Sequence, residues 1–115
     1  MEQCRRIRRA SSPTLALEFL LEAEQERSGA ISLSVATLEG LLVTGVGDLD
    51  PTMAAAASAM RLQGFFDHPV LAALHGRAFA MSVVELDGGE RVLVSKVDGG
   101  PVTRDFESSV RRILS

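Results

Sequence analysis

Residues 30–63, AISLSVATLEGLLVTGVGDLDPTMAAAASAMRLQ, decide the fold of this chain. Within residues 31–36, Ile, Leu and Val alternate with Ser and Ala. This period of two predicts a strand with one face on a core. Gly40 interrupts the apolar run and can supply the positive φ of a hairpin turn. The apolar residues within 41–46 then predict a second strand, paired with the first.

An alanine-rich helix is predicted to follow the hairpin, from Pro51 to about Gln63. Asp50 marks its start because an aspartate side chain accepts hydrogen bonds from free backbone N–H groups, and proline is tolerated at the first helical position. Alanine favours a helix but offers little apolar area to bury. Such a helix is suited to close approach by another backbone, from the chain's own sheet, a second copy or a partner.

The N-terminal part of the chain predicts a basic tail, residues 1–12, before a domain of residues 13–115. Arginine occupies positions 5, 6, 8 and 9 of the tail. So short a basic cluster is consistent with contact to an anionic partner or with a solvated terminus, and we favour the solvated terminus. Ser12 and Pro13 predict the start of an amphipathic first helix that ends near Arg27. Its acidic stripe is interpreted as a solvated outer face.

The C-terminal half predicts further strands and a closing helix. Residues 70–75 (VLAALH) fit either a helical turn or a strand. Residues 78–86 and 91–97 predict two strands joined at the hairpin signal of residues 87–89. Residues 104–114 have apolar side chains at helical spacing. The predicted order, α-β-β-α-β-β-β-α, favours an α+β fold with helices packed on an antiparallel sheet.

Composition excludes several function classes. A chain of 115 residues is one domain by length, and its net charge of −3 argues against general nucleic-acid binding. A single cysteine, Cys4, fits a reducing compartment. No apolar run approaches the roughly 20 residues that span a bilayer, so stable membrane insertion is not expected. We expect a soluble cytoplasmic protein.

The residues that carry chemistry form no recognisable catalytic or metal-binding pattern. The two histidines are His68 and His75, and no G-x-S-x-G motif is present to position a nucleophilic serine. Two histidines and Cys4 do not make a zinc-ligand spacing. Most aspartates lie at predicted turns and helix caps, where they have local backbone roles. We therefore expect no enzyme activity, no cofactor and no metal.

Residues 26–51, ERSGAISLSVATLEGLLVTGVGDLDP, resemble the Roadblock domain, the dynein light chain Roadblock type. The likeness extends over about residues 14–114. It implies a profilin-like fold, in which a five-stranded antiparallel sheet lies between helices. It also implies homodimerisation, or pairing with a related domain, through the second helix and the third strand. In bacteria and archaea such domains accompany Ras-like small GTPases; some stimulate GTP hydrolysis, and others are scaffolds or exchange-factor subunits.

The resemblance implies a dimer or partner interface on two predicted elements. On the second helix it comprises Thr52, Met53, Ala55, Ala56, Ala59 and Met60, and on the third strand it comprises Val70, Leu71, Ala72, Ala73 and Leu74. The implied function is a homodimeric module that binds, and regulates, a Ras-like small GTPase without an active site of its own. The alternative is a non-catalytic scaffold subunit of a polarity, motility or dynein-like transport complex. No arginine is nominated as an arginine finger.

Overall fold

The computed structural model describes the backbone of residues 2–65, Pro69, Leu71 and residues 76–115, with side chains from residue 13 onward. The elements are the helices α1 (Glu2–Ser28), α2 (Pro51–Leu62) and α3 (Arg104–Leu114) and the strands β1 (Ser32–Ala36), β2 (Leu42–Gly47), β3 (Phe79–Glu85) and β4 (Arg91–Val97). The described part is an α+β fold with one antiparallel sheet, whose strand order is β2-β1-β4-β3. This confirms the coarse fold class.

Helix α1 is longer than its sequence signals predict. It begins at Glu2 and contains Pro13 in its interior, so the predicted start at Ser12 is wrong. Proline lacks an N–H donor and normally ends or kinks a helix. The segment before Pro13 is rich in Arg, Glu, Gln and Ala, which are strong helix formers, and this local preference favours helix on both sides of the proline.

The described sheet has four strands, whereas the sequence predicted five. The additional strand was expected at residues 70–75, of which Val70 and residues 72–75 lie outside the described residues. Leu71 is described, and it lies in a 3-10 turn on the chain between α2 and β3. The hairpins β1–β2 and β3–β4 form as predicted. The pairing of β1 with β4, which are far apart in the sequence, joins the two hairpins into one sheet.

Both faces of β1 are buried, although its alternating pattern predicted only one. Leu33 and Val35 belong to the larger core, together with Leu17 of α1 and Phe106 of α3. The alternate residues of β1 point to the opposite face, which α2 covers. The sheet is thus the middle layer between α1 and α3 on one side and α2 on the other.

The α2 side of the sheet is built from small residues. Ser32, Ser34 and Ser95 are fully or almost fully buried there, and Ser95 donates a hydrogen bond of 2.5 Å to Ser58 of α2. At Gly45 of β2, an added Cβ would lie 2.4 Å from the Cβ of Pro51, far closer than van der Waals contact allows. Small side chains therefore let α2 lie close against the sheet.

Candidate interaction surface

Helix α2 begins at Pro51, as the sequence predicted, and one side of the helix packs against the sheet. The Asp50 carboxylate accepts a hydrogen bond of 3.0 Å from the backbone N–H of Thr52, which caps the helix, and Pro51 occupies the first turn. Ala54 and Ala57 are fully buried in a cluster with Val97 of β4. These alanines therefore serve the packing of the chain itself.

The β1–β2 hairpin turn covers a second side of α2. An added Cβ at Gly40 would lie 3.1 Å from the Cβ of Ala59 and 3.4 Å from the Cα of Ala56, so the turn is in contact with the helix. The exposed fractions of Ala55 and Ala59 are 0% and 2%. Both residues were predicted at an interface, but in this structure they are buried within the chain, beside the turn.

The third side of α2 faces away from the sheet and carries the accessible part of the predicted interface. Thr52 and Met53 are exposed, and Ala56 and Met60 are half-buried. Met53, Ala56 and Met60 are spaced by three and four residues, so they form one row along the helix. Thr52 lies four residues before Ala56 and belongs to the same surface. We call Thr52, Met53, Ala56 and Met60 the α2 row.

The third-strand part of the predicted interface is described only at Leu71. This half-buried side chain packs against the cluster of Ala54, Ala57 and Val97, which places it on the same face of the sheet as α2. Val70, Ala72, Ala73 and Leu74 lie outside the described residues. The structure therefore brings Leu71 and α2 together on one face of the sheet.

Three exposed apolar residues at the start of β2 were not among the predicted interface residues. Leu41 is 70% exposed, and Leu42 and Val43 are also exposed. They follow the turn that contacts α2. Leu42 belongs to β2, which is an outer strand of the described sheet, and it pairs with Ala36 of β1. The sequence signal was the consecutive run Leu41-Leu42-Val43, because successive residues of a strand point to opposite faces and such a run puts apolar side chains on both.

A buried ion pair lies on the opposite face of the sheet. Lys96 of β4 donates a hydrogen bond of 2.7 Å from Nζ to Oε2 of Glu24 in α1, and another of 3.1 Å to the Pro101 carbonyl. Arg27 also binds the Glu24 carboxylate, through Nη2 at 2.5 Å and Nε at 3.0 Å. Lys96 is 2% exposed and Glu24 7%. The pair ties α1 to the centre of the sheet.

The charges around Glu24 hold it ionised. Burial opposes the charged form of the carboxylate, but the hydrogen bonds and positive charges of Arg27 and Lys96 outweigh burial and lower the pKa of Glu24 below its ordinary value of 4.5. Sequence reasoning missed this pair. The available signal was that Glu24 follows Leu17 and Leu21 at helical core spacing, while Lys96 interrupts a strand of buried valines.

The described residues offer no obvious centre for chemistry. An open cleft of about 390 Å³ lies between α1 and the start of α3, but it is lined by charges of both signs, including Glu24, Arg27 and Asp105. Among the described side chains, no group of three histidines, cysteines or carboxylates is arranged to hold a metal ion. Within the same residues, no helix has both the length and the hydropathy of a membrane span.

Comparison with known proteins does not assign the chain to a family. A scan against protein-family models finds no match, and a search of the curated proteins finds none either. The likeness to the Roadblock domain therefore remains a prediction from the pattern of residues 26–51.

Proposed function

We propose that this chain is a cytoplasmic, homodimeric protein-binding module that binds and regulates a Ras-like small GTPase. The observation that carries the proposal is the position of α2. It is the only described helix on its face of the sheet, and it turns a row of Thr52, Met53, Ala56 and Met60 away from its own core. The Roadblock likeness assigns the pairing surface to this helix.

The chemistry of the α2 row suits a helix–helix contact. Ala56 is small enough to let a second helix approach closely, while Met53 and Met60 have flexible side chains that adapt to an irregular partner surface. A symmetric dimer would place the row against its own copy. The adjacent turn would add Leu41, whose high exposure is otherwise unexplained.

The GTPase part of the proposal concerns regulation of a partner and not catalysis by this chain. No described cluster of side chains provides a nucleophile with a base. Arg77 is held by Asp98 through a hydrogen bond of 2.9 Å, and we do not assign it as an arginine finger. The module would act by holding the partner's own catalytic loops or by recruiting it. The alternative is a scaffold subunit with no effect on GTP turnover.

Self-association can be tested with Ala56→Arg, which places a charged side chain in the middle of the α2 row. Sedimentation-velocity ultracentrifugation should show a loss of α2-mediated association relative to wild type. Ser108→Arg is the control, because it introduces the same charged side chain at a small residue of another helix, α3, where Ser108 is exposed. Met53→Glu, at a residue 39% exposed, gives the same test without strain near Gly40. Unchanged association in both α2 variants, with native circular dichroism, would refute the interface.

The regulatory role is tested on the captured partner. Affinity capture from the native cytoplasm followed by mass spectrometry should recover a small GTPase with the wild type and less of it with Ala56→Arg. The partner's GTP hydrolysis and nucleotide-release rates are then measured with and without this chain. A changed rate supports regulation, whereas stable binding with unchanged rates supports the scaffold.

A further inference from the structure

Strand β2 forms an outer edge of the described sheet. It pairs with β1 alone among the described strands, so the backbone N–H and C=O groups on its other side have no strand partner there. Helices α1 and α2 contact β2, but they pack on the two faces of the sheet and not along its edge. The edge is about 20 Å long, because each of its six residues adds about 3.3 Å.

The β2 edge lacks most of the features that protect an outer strand from pairing with another chain. Its sequence, LVTGVG, contains no charged residue and no proline. Leu42 and Val43 are 37% and 40% exposed. Val43 is an extra residue in the β1–β2 register, and such a bulge disturbs pairing locally, but residues 44–47 oppose β1 in regular register. An extended segment can therefore lie beside residues 44–47 and cover the two apolar side chains.

Carboxylates flank the β2 edge at both ends. Glu39 lies in the turn before the strand and Asp48 follows the strand directly; both are exposed, and neither forms an ion pair with a described residue. Residues 28–60 contain three acidic residues and no lysine, arginine or histidine. Arg91 lines a cleft together with Glu39, between the two hairpin turns, but Glu90 lines the same cleft. The surroundings of the edge are therefore negatively charged.

These charges discriminate between the possible occupants of the edge. A second copy of β2, paired antiparallel about its own centre, would bring Glu39 of each copy beside Asp48 of the other. A parallel copy would bring each carboxylate beside its own equivalent. Both arrangements place like charges together, which is unfavourable. A segment with basic residues at its ends would instead meet an opposite charge at each end of β2.

We propose that the β2 edge binds an extended segment of a partner protein, which adds to the described sheet as a fifth strand. The segment has an uncharged centre rich in β-branched residues and basic residues about nine positions apart, the separation of Glu39 and Asp48. Main-chain hydrogen bonds to β2 supply affinity that does not depend on sequence, and the basic ends supply selectivity. This binding is independent of the proposed α2 dimer, because the α2 row lies over a face of the sheet.

The probe is a fluorescein-labelled synthetic peptide, KKVTVTVTVKK, whose binding to the chain is followed by fluorescence anisotropy. Two matched peptides separate the contributions: EEVTVTVTVEE reverses the charged ends, and KKVTVPVTVKK places a proline in the centre, where it removes a main-chain donor. At low salt the first peptide should bind about tenfold more tightly than either control. At about 0.5 M salt its advantage over the acidic peptide should shrink, because exposed charges are screened. Equal binding of the three peptides would overturn the proposal.

Charge reversal in the chain gives the complementary test. The double variant Glu39→Lys/Asp48→Lys should prefer EEVTVTVTVEE over the basic peptide. The control Glu26→Lys/Glu85→Lys makes the same change in net charge at exposed residues of α1 and β3, and it should keep the preference for the basic peptide. If the control also reverses its preference, overall charge explains the binding and the site is wrong. Ala56→Arg should leave peptide binding unchanged, which separates the β2 edge from the α2 interface.

Hydrogen–deuterium exchange locates the bound peptide on the wild-type chain. Binding should slow exchange of backbone amides within residues 42–47, because the amides that face the new strand gain hydrogen-bond acceptors. Slower exchange only at other residues would overturn the assignment. Without peptide, these amides should exchange equally fast at low and high concentrations of the Ala56→Arg variant. Protection that grows with its concentration would show that a second copy occupies the edge, against the proposed partner.

Discussion

Replacing Glu24 with leucine should be among the most damaging single changes in the core, because it isolates the ammonium of Lys96. In the native structure that ammonium donates to the Glu24 carboxylate at 2.7 Å and to the Pro101 carbonyl at 3.1 Å, and the residue is 2% exposed. After Glu24→Leu, the Lys96 ammonium keeps only the Pro101 carbonyl as a hydrogen-bond acceptor among the described residues. A single neutral acceptor does not compensate a buried positive charge.

The expected cost follows from measured behaviour of buried ion pairs. Removing one partner of such a pair typically destabilises a protein by about 3–5 kcal/mol. For a domain of this size, that corresponds to a fall of about 12–20 °C in Tm. Lys96→Met should cost less, about 1–3 kcal/mol, because Arg27 still donates two hydrogen bonds to Glu24. The double variant Glu24→Leu/Lys96→Met should be close to wild type, since it removes both charges.

Urea unfolding followed by circular dichroism measures the free energy of unfolding of the wild type, the two single variants and the double variant. A double-mutant cycle then gives the coupling between the two residues. We expect strong coupling between Glu24 and Lys96, with the double variant more stable than Glu24→Leu. This expectation is refuted if both single variants cost less than about 1 kcal/mol. It is also refuted if the two single-variant costs simply add in the double variant.

Two further predictions concern pH and the serines beneath α2. Because the folded-state pKa of Glu24 is lowered from 4.5, its stabilising contribution is complete above that value and is lost as the pH falls below it. Wild-type Tm should therefore drop more steeply than that of Glu24→Leu below about pH 4.5 in a thermal scan. Ser34→Ala should raise the unfolding free energy by about 1 kcal/mol, because the buried Ser34 hydroxyl has no hydrogen-bond partner among the described residues. Ser95→Ala, which removes a bonded hydroxyl, should lower it in the same urea assay; equal effects would contradict this explanation.

The turns and caps illustrate what local sequence can establish. Asp50 caps α2 through a contact two residues away, and Gly29 adopts φ +75° just after α1, as a glycine in that position is suited to do. The β3–β4 hairpin also forms at its predicted glycines, with Gly89 donating to the Leu86 carbonyl. Each of these features depends on atoms within a few residues of one another, so the sequence pattern contains the necessary information.

The α1 start shows how a local rule can mislead. Ser12 and Pro13 form a good helix beginning when considered alone, but the preceding segment also favours helix, and α1 extends through the proline to Glu2. A helix boundary is set by the preferences of both flanking segments and by what the helix contacts. The signal at a single dipeptide was therefore insufficient.

The sequence by itself determined the α+β class, the hairpins and the amphipathic closing helix, because these depend on short-range periodicity and turn chemistry. Only the tertiary structure decided which alanines of α2 are accessible, since Ala55 and Ala59 are both buried and Ala59 lies against the turn at Gly40, more than ten residues away along the chain. It also decided that Glu24 and Lys96 meet, across 72 residues of sequence. Burial and pairing of this kind depend on which distant segments pack together, and a periodic pattern within one element does not encode its neighbours.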